Sequence, residues 1–237
     1  MPRLRSIDRL RASAYLAVGL MACGGTPGSV VPIAATPDSE TAAAAWIDST
    51  RSTKAVDHRF RWLFRDREGS GGGRGSARIT PGDSLRFDVV GPLGTGRGAA
   101  FVVGDVSIWA EPEEDIQKLV PNYPLLWAML GIARLPDPVG DVSSFRDGRL
   151  VAWRFVNGAD TVEYAILAGP PKRLVADVRL AGKRLGRVET VFGSDGAPRS
   201  SRLDVPGVPA RLDITYVSTT TAVAFDPETW IRPEPEP

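Results

Sequence analysis

Residues 83–136 run DSLRFDVVGPLGTGRGAAFVVGDVSIWAEPEEDIQKLVPNYPLLWAMLGIARLP, and this stretch decides the fold. Three segments within it, 84–90, 99–103 and 106–110, are short and rich in β-branched or aromatic residues, with glycine or proline between them. This pattern predicts three antiparallel strands. The remainder of the stretch no longer has the period of a strand and predicts two short helices.

The first predicted helix begins after Pro112, where the acidic residues 113–115 favour a helix N-terminus. Its apolar face includes Leu119. The second begins at Pro124 and ends at Gly131, and it is apolar on nearly every side. A short helix of this kind must be covered from several directions, so we expect it to plug the interior of the sheet.

The alternation of strands extends to both sides of this stretch. Residues 58–65 alternate between an aromatic face and a largely basic face, which predicts a strand. An amphipathic helix is predicted over 38–56, docking through Trp46 and Ile47. The glycine run 69–75 between strands is interpreted as a flexible hairpin connection. Further strands are predicted at 77–80, 150–156, 161–167, 173–180, 184–192, 199–205, 210–216 and 222–225. Many short strands with tight turns indicate an antiparallel sheet or a partial barrel.

The N-terminus has the composition of a secretory leader. Four arginines precede an apolar run of about eleven residues, which is too short to span a bilayer. The run ends in Leu20-Met21-Ala22-Cys23-Gly24, which resembles the bacterial lipobox. The resemblance implies that residues 1–22 are a signal peptide and that Cys23 is lipidated. The alternatives are an ordinary cleaved signal with an incidental cysteine, or a buried structural thiol.

The segment after Cys23 is small, nearly uncharged and punctuated by proline. Residues 23–37 therefore predict a flexible tether, followed by one folded domain over 38–231 and a Pro/Glu tail at 232–237. The resemblance to lipoproteins also implies a location, because Gly24 rather than an aspartate after the cysteine favours the outer membrane over the inner membrane, with the domain facing the periplasm. The whole chain carries a formal net charge of +1 and no basic stripe, so nucleic acid is not an expected partner. A monomer is expected.

The order of elements in residues 83–136 resembles the LolA/LolB-type lipoprotein-localisation proteins, and the LolB branch more closely because the chain has a lipobox. The resemblance implies a strongly curved antiparallel half-barrel, mainly β with some α, of about 10 or 11 strands. Short helices and the N-terminal helix would cover its open side. Acyl chains of lipoproteins would occupy the apolar cavity, and a periplasmic LolA-like carrier would be a partner.

In the LolB branch an exposed leucine on a loop between two strands delivers cargo into the membrane. Pro92-Leu93-Gly94 matches that loop, so the resemblance assigns membrane delivery to Leu93; the alternative is that Leu93 packs at a strand end. Candidate residues for the cavity and its lid are Phe60, Trp62, Phe64, Phe87, Phe101, Trp109, Leu119, Leu126, Trp127, Met129, Leu130, Trp153 and Phe155.

Enzyme chemistry has little support in the sequence. His58 is the one histidine and has no nucleophile-elbow motif to serve. Histidine and cysteine ligands for zinc are lacking, and the glycine runs have no adjoining Lys-Ser/Thr of a phosphate loop. The adjacent carboxylates at 113–115 point in different directions and more readily interact with a helix dipole. We therefore expect no enzyme activity, no metal and no cofactor.

Two hypotheses follow. The first is an outer-membrane-anchored lipoprotein that binds acyl chains in an apolar cavity and takes part in lipoprotein reception or insertion. The second is an envelope lipoprotein that uses the same domain to bind a protein or another lipid without transfer.

Overall fold

The computed structural model describes residues 28–94, 96–113 and 122–233. The predicted signal peptide, Cys23, most of the first predicted helix with Leu119, and the last four residues of the tail lie outside the described residues. The side chain of Leu93 is likewise not described.

The described chain is mostly β and forms one antiparallel sheet. Its thirteen strands are β1 (Thr36–Pro37), β2 (Ala55–Arg65), β3 (Ser70–Ile79), β4 (Ser84–Val90), β5 (Arg97–Val103), β6 (Val106–Glu111), β7 (Asp141–Arg146), β8 (Leu150–Asn157), β9 (Asp160–Leu167), β10 (Arg173–Leu180), β11 (Lys183–Phe192), β12 (Pro198–Val205) and β13 (Ala210–Ala222). The spatial order is β1-β7-β8-β9-β10-β11-β12-β13-β2-β3-β4-β5-β6. Among the described strands β1 and β6 are the two edges, so the sheet does not close on itself.

Two α-helices lie in the described residues. Helix α1 spans Glu40–Asp48, and the Ser39 hydroxyl caps it by accepting a bond from the amide of Ala42. It is shorter than the predicted 38–56 because the chain turns at Ser49 and enters β2 at Ala55. Helix α2 spans Tyr123–Met129, with Asn122 as its N-cap, in agreement with the predicted second helix.

The sheet wraps around α2. This helix contacts β10, β11 and β12, while the indole Nε1 of Trp127 donates to the carbonyl of Gly104, in the turn between β5 and β6, at 2.7 Å. Seven strand spacings separate β10 from β5 in the sheet order, which amounts to about 34 Å in a flat sheet. A single helix is only about 10 Å wide. Both contacts are possible only because the sheet curves, and α2 lies on its concave side.

The glycine run is part of a strand, and its prediction as a flexible connection was wrong. Residues 70–79 form β3 and pair along their whole length with β2. A Cβ at Gly73 would lie 1.9 Å from the carbonyl oxygen of Val90, and one at Gly75 would overlap the Phe60 ring. Glycine is required here because another backbone and an aromatic ring approach closely. The run therefore marks a place where the backbone of β4 and the Phe60 ring of β2 come unusually close to β3.

The predicted tether is also corrected for its described part. Val31 is buried against Ala152, Ala165 and Val175 on the convex side of the sheet. Thr36–Pro37 pair with β7. We call residues 28–37 the strap. The folded domain therefore begins near residue 29 and not at 38, since the small uncharged residues that suggested coil pack against small residues on the sheet.

Two further differences concern strands. Strand β7 (Asp141–Arg146) was not predicted, because DVSSFR contains only two large apolar residues. A separate strand at 222–225 was predicted, but β13 instead continues through Ala222 beside the full length of β2. Beyond it, residues 227–230 form a 3₁₀ turn that packs on β5 and β6.

Candidate functional site

The concave side of the sheet is largely filled by side chains. Of the cavity and lid candidates, those that are almost completely buried in one continuous core are Phe60, Phe87, Leu126, Trp127, Met129, Leu130, Trp153 and Phe155. Helix α2 supplies three of them, and Leu130 is its C-cap residue. The wide apolar hollow that the resemblance implies is thus largely occupied by the plug helix in the described residues, and a cleft lies beside one end of this helix.

The C-terminal end of α2 is held by three hydroxyl groups from adjacent strands. The carbonyl of Met129 accepts from Ser201 Oγ and Tyr216 Oη, each at 2.5 Å, and the carbonyl of Ala128 accepts from Thr190 Oγ1 at 2.7 Å. The last carbonyls of a helix have no partner within it, so an uncapped buried end would be costly. These bonds fix the plug on β11, β12 and β13.

Two of the cavity candidates lie on the wrong face. Register places Phe101 opposite Arg86 and Trp109, on the face away from the core residue Phe87. There Phe101 packs on Trp230, with ring centroids 5.2 Å apart, and the indole of Trp109 donates to the carbonyl of Trp230. Their prediction as cavity lining was wrong because the period of a strand separates two faces without saying which is inner.

Trp62 and Phe64 face the core side, where they follow Phe60 along β2, but they are only partly buried. Opposite them lie Gly73 and Gly71 of β3. They form the end of the core that is remote from the open space described next.

The open space is a cleft of about 440 Å³ beside the N-terminus of α2. Ligand pockets have volumes of about 300–1,000 Å³. The apolar part of its wall comes from α2, from the segment after it and from strands β8, β9 and β10. The apolar lining residues are Tyr123, Pro124, Trp127, Leu135, Pro136, Pro138, Val139, Phe155, Val162, Val178 and Leu180. Trp127 and Phe155 belong to the predicted set; the others were missed, because sequence alone does not show which strand ends meet.

The two arginines that line the cleft are engaged in ion pairs. Arg134 binds Asp83 at 2.7 Å and stacks over the Trp127 ring, 5.0 Å from its centroid. Arg179 contacts the fully buried carboxylate of Asp177 at 3.3 Å. Acidic groups at the cleft wall are Asp105, Asp137 and Asp160. The cleft thus combines an apolar floor with a mixed-charge rim, an arrangement suited to an amphiphile.

His58 is a structural residue. It is buried, its Nδ1 lies 2.9 Å from Thr219 Oγ1, and its ring meets Tyr216 edge to face. Burial lowers the pKa of His58 to about 4, so the imidazole is neutral near pH 7. These contacts give it a role in packing. Within residues 28–94, 96–113 and 122–233, no three His, Cys, Asp or Glu side chains are grouped to hold a metal.

The Pro92–Gly94 loop forms a 3₁₀ turn between β4 and β5. It lies at the opposite end of β5 from Gly104, which lines the cleft. Seven residues of extended strand separate these ends by about 23 Å. The structure therefore does not bring Leu93 to the cleft. Across the described stretches, no helix is long and apolar enough to cross a membrane.

No protein-family model matches the sequence, and no curated protein matches it. Several solved structures are similar at a low level, and three of them each share 8% sequence identity with this chain. A LolA superfamily protein from Nitrosomonas europaea has a TM-score of 0.38, and the match covers 82% of this chain and 98% of that protein. A DUF1329 family protein from Desulfovibrio piger has a TM-score of 0.41, covering 79% and 94%. An outer membrane lipoprotein-sorting protein domain from Vibrio parahaemolyticus has a TM-score of 0.34, also covering 79% and 94%. TM-scores below 0.5 do not assign this chain to a family.

Proposed function

We propose that this protein is an envelope lipoprotein, anchored at the outer membrane through Cys23, which holds an acyl chain in the cleft beside α2. The observation that carries the proposal is the cleft itself, with its volume of about 440 Å³ and its floor of Trp127, Phe155, Val162 and Val178. Such a floor offers an acyl chain apolar contact, and the charged rim can remain beside its polar end.

The length of acyl chain that enters the cleft sets the affinity. Each methylene that leaves water contributes roughly 0.8 kcal/mol, so a buried segment of about eight methylenes would contribute at most ~6 kcal/mol. That corresponds to dissociation constants in the tens of micromolar. Such weak binding suits a carrier or acceptor that releases its ligand. The protein would therefore take part in lipoprotein reception or insertion. Transfer from a LolA-like periplasmic carrier belongs to the same proposal, whereas delivery through Leu93 is left out of it because the Pro92–Gly94 loop lies about 23 Å from Gly104 at the cleft.

The test uses the chain from Gly24 onward, secreted with an ordinary cleaved signal so that no lipid is attached. A photoactivatable palmitate analogue is cross-linked to it and the labelled peptides are identified by mass spectrometry. We expect labels on peptides containing Tyr123, Leu135 or Val162. Val162→Trp fills the cleft and should lower labelling about tenfold, whereas Val217→Trp, at an exposed position of β13, should leave it unchanged. Equal labelling of both variants would contradict acyl binding in the cleft.

A second function is favoured by the filled concave face. Because α2 and the aromatic core leave little open volume, the domain can act as a rigid scaffold that binds a protein or another lipid without transfer. The same experiment distinguishes acyl binding in the cleft from a scaffold that binds a protein, since such a scaffold gives no saturable labelling in the cleft.

A further inference from the structure

The strap is firmly attached to the convex side of the sheet. The carboxylate of Glu163, which is buried, accepts from Ser29 Oγ at 2.7 Å and from the amide of Val30 at 3.0 Å. Arg154 reaches both Glu163 Oε1 and the carbonyl of Val31. The guanidinium of Arg154 thereby has both its charge neutralised and its N–H donors bonded. These bonds, with the burial of Val31, fix the point at which the chain leaves the domain.

A series of contacts links that point to a residue of the cleft wall. The carbonyl of Gly28 accepts from Arg184 at 3.4 Å, and Arg184 binds Asp177 at 2.7 Å. Asp177 also binds Arg179, which lines the cleft together with Leu180. Three consecutive side-chain contacts thus connect the start of the strap with the rim of the cleft.

The chain between Cys23 and Gly28 is short. Five residues span at most about 18 Å when fully extended. This step rests on the proposed lipidation of Cys23. With the lipid in the bilayer and Gly28 fixed beside Arg184, the part of the domain next to Gly28 must lie against or near the membrane surface.

Exposed apolar side chains surround the cleft at this position. Val103 and Val106 flank Gly104 and Asp105 at the tip of the β5–β6 hairpin, and Leu180 ends β10 with 44% of its surface exposed. Exposed apolar side chains clustered at one position are typical of interaction sites. Lys183, the first residue of β11 after the turn that follows Leu180, is exposed and can bind anionic headgroups.

From this placement we propose that the rim formed by Val103, Val106 and Leu180 rests on the lipid bilayer, so that the cleft opens toward the membrane to which the protein is anchored. An acyl chain would then enter the cleft directly from the bilayer. The Pro92–Gly94 loop, about 23 Å away along β5, would face away from that contact.

The experiment uses the full acylated protein in vesicles of phosphatidylethanolamine and phosphatidylglycerol. Acylation of Cys23 is first established by mass spectrometry. Cys23 is the one cysteine of the chain, so a second cysteine can be labelled selectively with an environment-sensitive fluorophore. We expect labels in Val106→Cys and Leu180→Cys to be quenched at least twofold by acyl chains that carry bromine.

Leu167→Cys is the matched control. Leu167 is 40% exposed and pairs with Arg173, at the other end of β10 from Leu180. Its label should not be quenched. A label in Leu93→Cys should likewise stay unquenched, and quenching there without quenching at positions 106 and 180 would overturn the inference. A second measurement combines Val106→Asp with the Leu180→Cys label in one protein. We expect the quenching of the label to fall, whereas Val208→Asp in the same background should leave it unchanged.

The outcomes separate this inference from the proposed function. If Cys23 carries no lipid, the anchor is disproved and both fail. If Cys23 is acylated and the palmitate analogue labels the cleft, but neither rim position is quenched, only the membrane-facing rim is wrong.

Discussion

His58 couples the stability of the domain to mild acid. The neutral ring is buried beside Tyr216 and Thr219, and burial lowers its pKa to about 4 from an unfolded value of 6.5. Because the folded pKa is depressed, the unfolded chain binds the proton first as the pH falls. The contribution of His58 to folding is fully present above about pH 6.5 and is lost as the pH falls toward 4.

We predict that the free energy of unfolding falls by about 2 kcal/mol between pH 7 and pH 5 because of this one residue. His58→Gln cannot titrate and should lose most of that dependence, although its stability at pH 7 is lower. Urea unfolding at the two pH values measures both effects. An equal decline in the variant would assign the acid sensitivity to carboxylates and not to His58.

For single residues, the sequence predicted correctly which aromatic side chains are buried in the core, but it did not predict which face of the sheet each one lies on. The aromatic residues at 60, 87, 127, 153 and 155 are core residues, as the pattern indicated. Phe101 and Trp109 are also aromatic residues of predicted strands, but they pack beneath the C-terminal 3₁₀ turn. What packs against each face of the sheet decides which face is inner, and here that residue, Trp230, is more than a hundred residues away in the chain. The roles of Cys23 and Leu93 stay predictions.

At the scale of single elements, β3 combines high glycine content with regular pairing. Gly73 allows the carbonyl of Val90 to approach its Cα, while Gly71 has open space where a side chain would stand. We predict that Gly73→Ala lowers the free energy of unfolding by at least ~2 kcal/mol, because two backbones would have to separate. Gly71→Ala should be neutral or stabilising by about 0.4–1 kcal/mol, because it restricts the unfolded chain.

Chemical denaturation of the two variants compares the same substitution two residues apart in one strand. Similar effects at both positions would mean that β3 tolerates or rejects side chains generally, and that the close approach at Gly73 is unimportant. A large loss at Gly71 alone would contradict the packing described.

Element boundaries were predictable where hydrophobic period and turn residues agreed. Strand β4 was predicted with its observed bounds, and α2 followed from Pro124 and Gly131. Strand β3 and the strap were not predictable in this way. Glycine and small uncharged residues are typical of coil, and they become ordered here only because a neighbouring surface, the β2 aromatics or the small residues of β8–β10, fits them closely.

At the scale of the whole molecule, α2 connects two parts of the curved sheet. On one side its C-terminus is bonded to Thr190, Ser201 and Tyr216. On the other, Trp127 donates to Gly104 at 2.7 Å, and Arg134 beyond the helix binds Asp83 in the turn between β3 and β4. The helix therefore bridges these two parts across the core, and the cleft lies beside its N-terminus.

We predict that Trp127→Phe loosens the β3–β6 part selectively. The phenyl ring keeps apolar contact and the stacking of Arg134, but the carbonyl of Gly104 loses its donor, which costs about 1 kcal/mol. Hydrogen exchange of the β5 and β6 amides should become about five- to tenfold faster, since local opening becomes easier, while β9 and β10 amides keep their protection. Trp62→Phe is the control: its indole donates to Arg74 in the adjacent strand, so its loss should affect only β2 and β3. Uniform acceleration in Trp127→Phe would show that the sheet opens as one unit and that α2 does not join two separable parts.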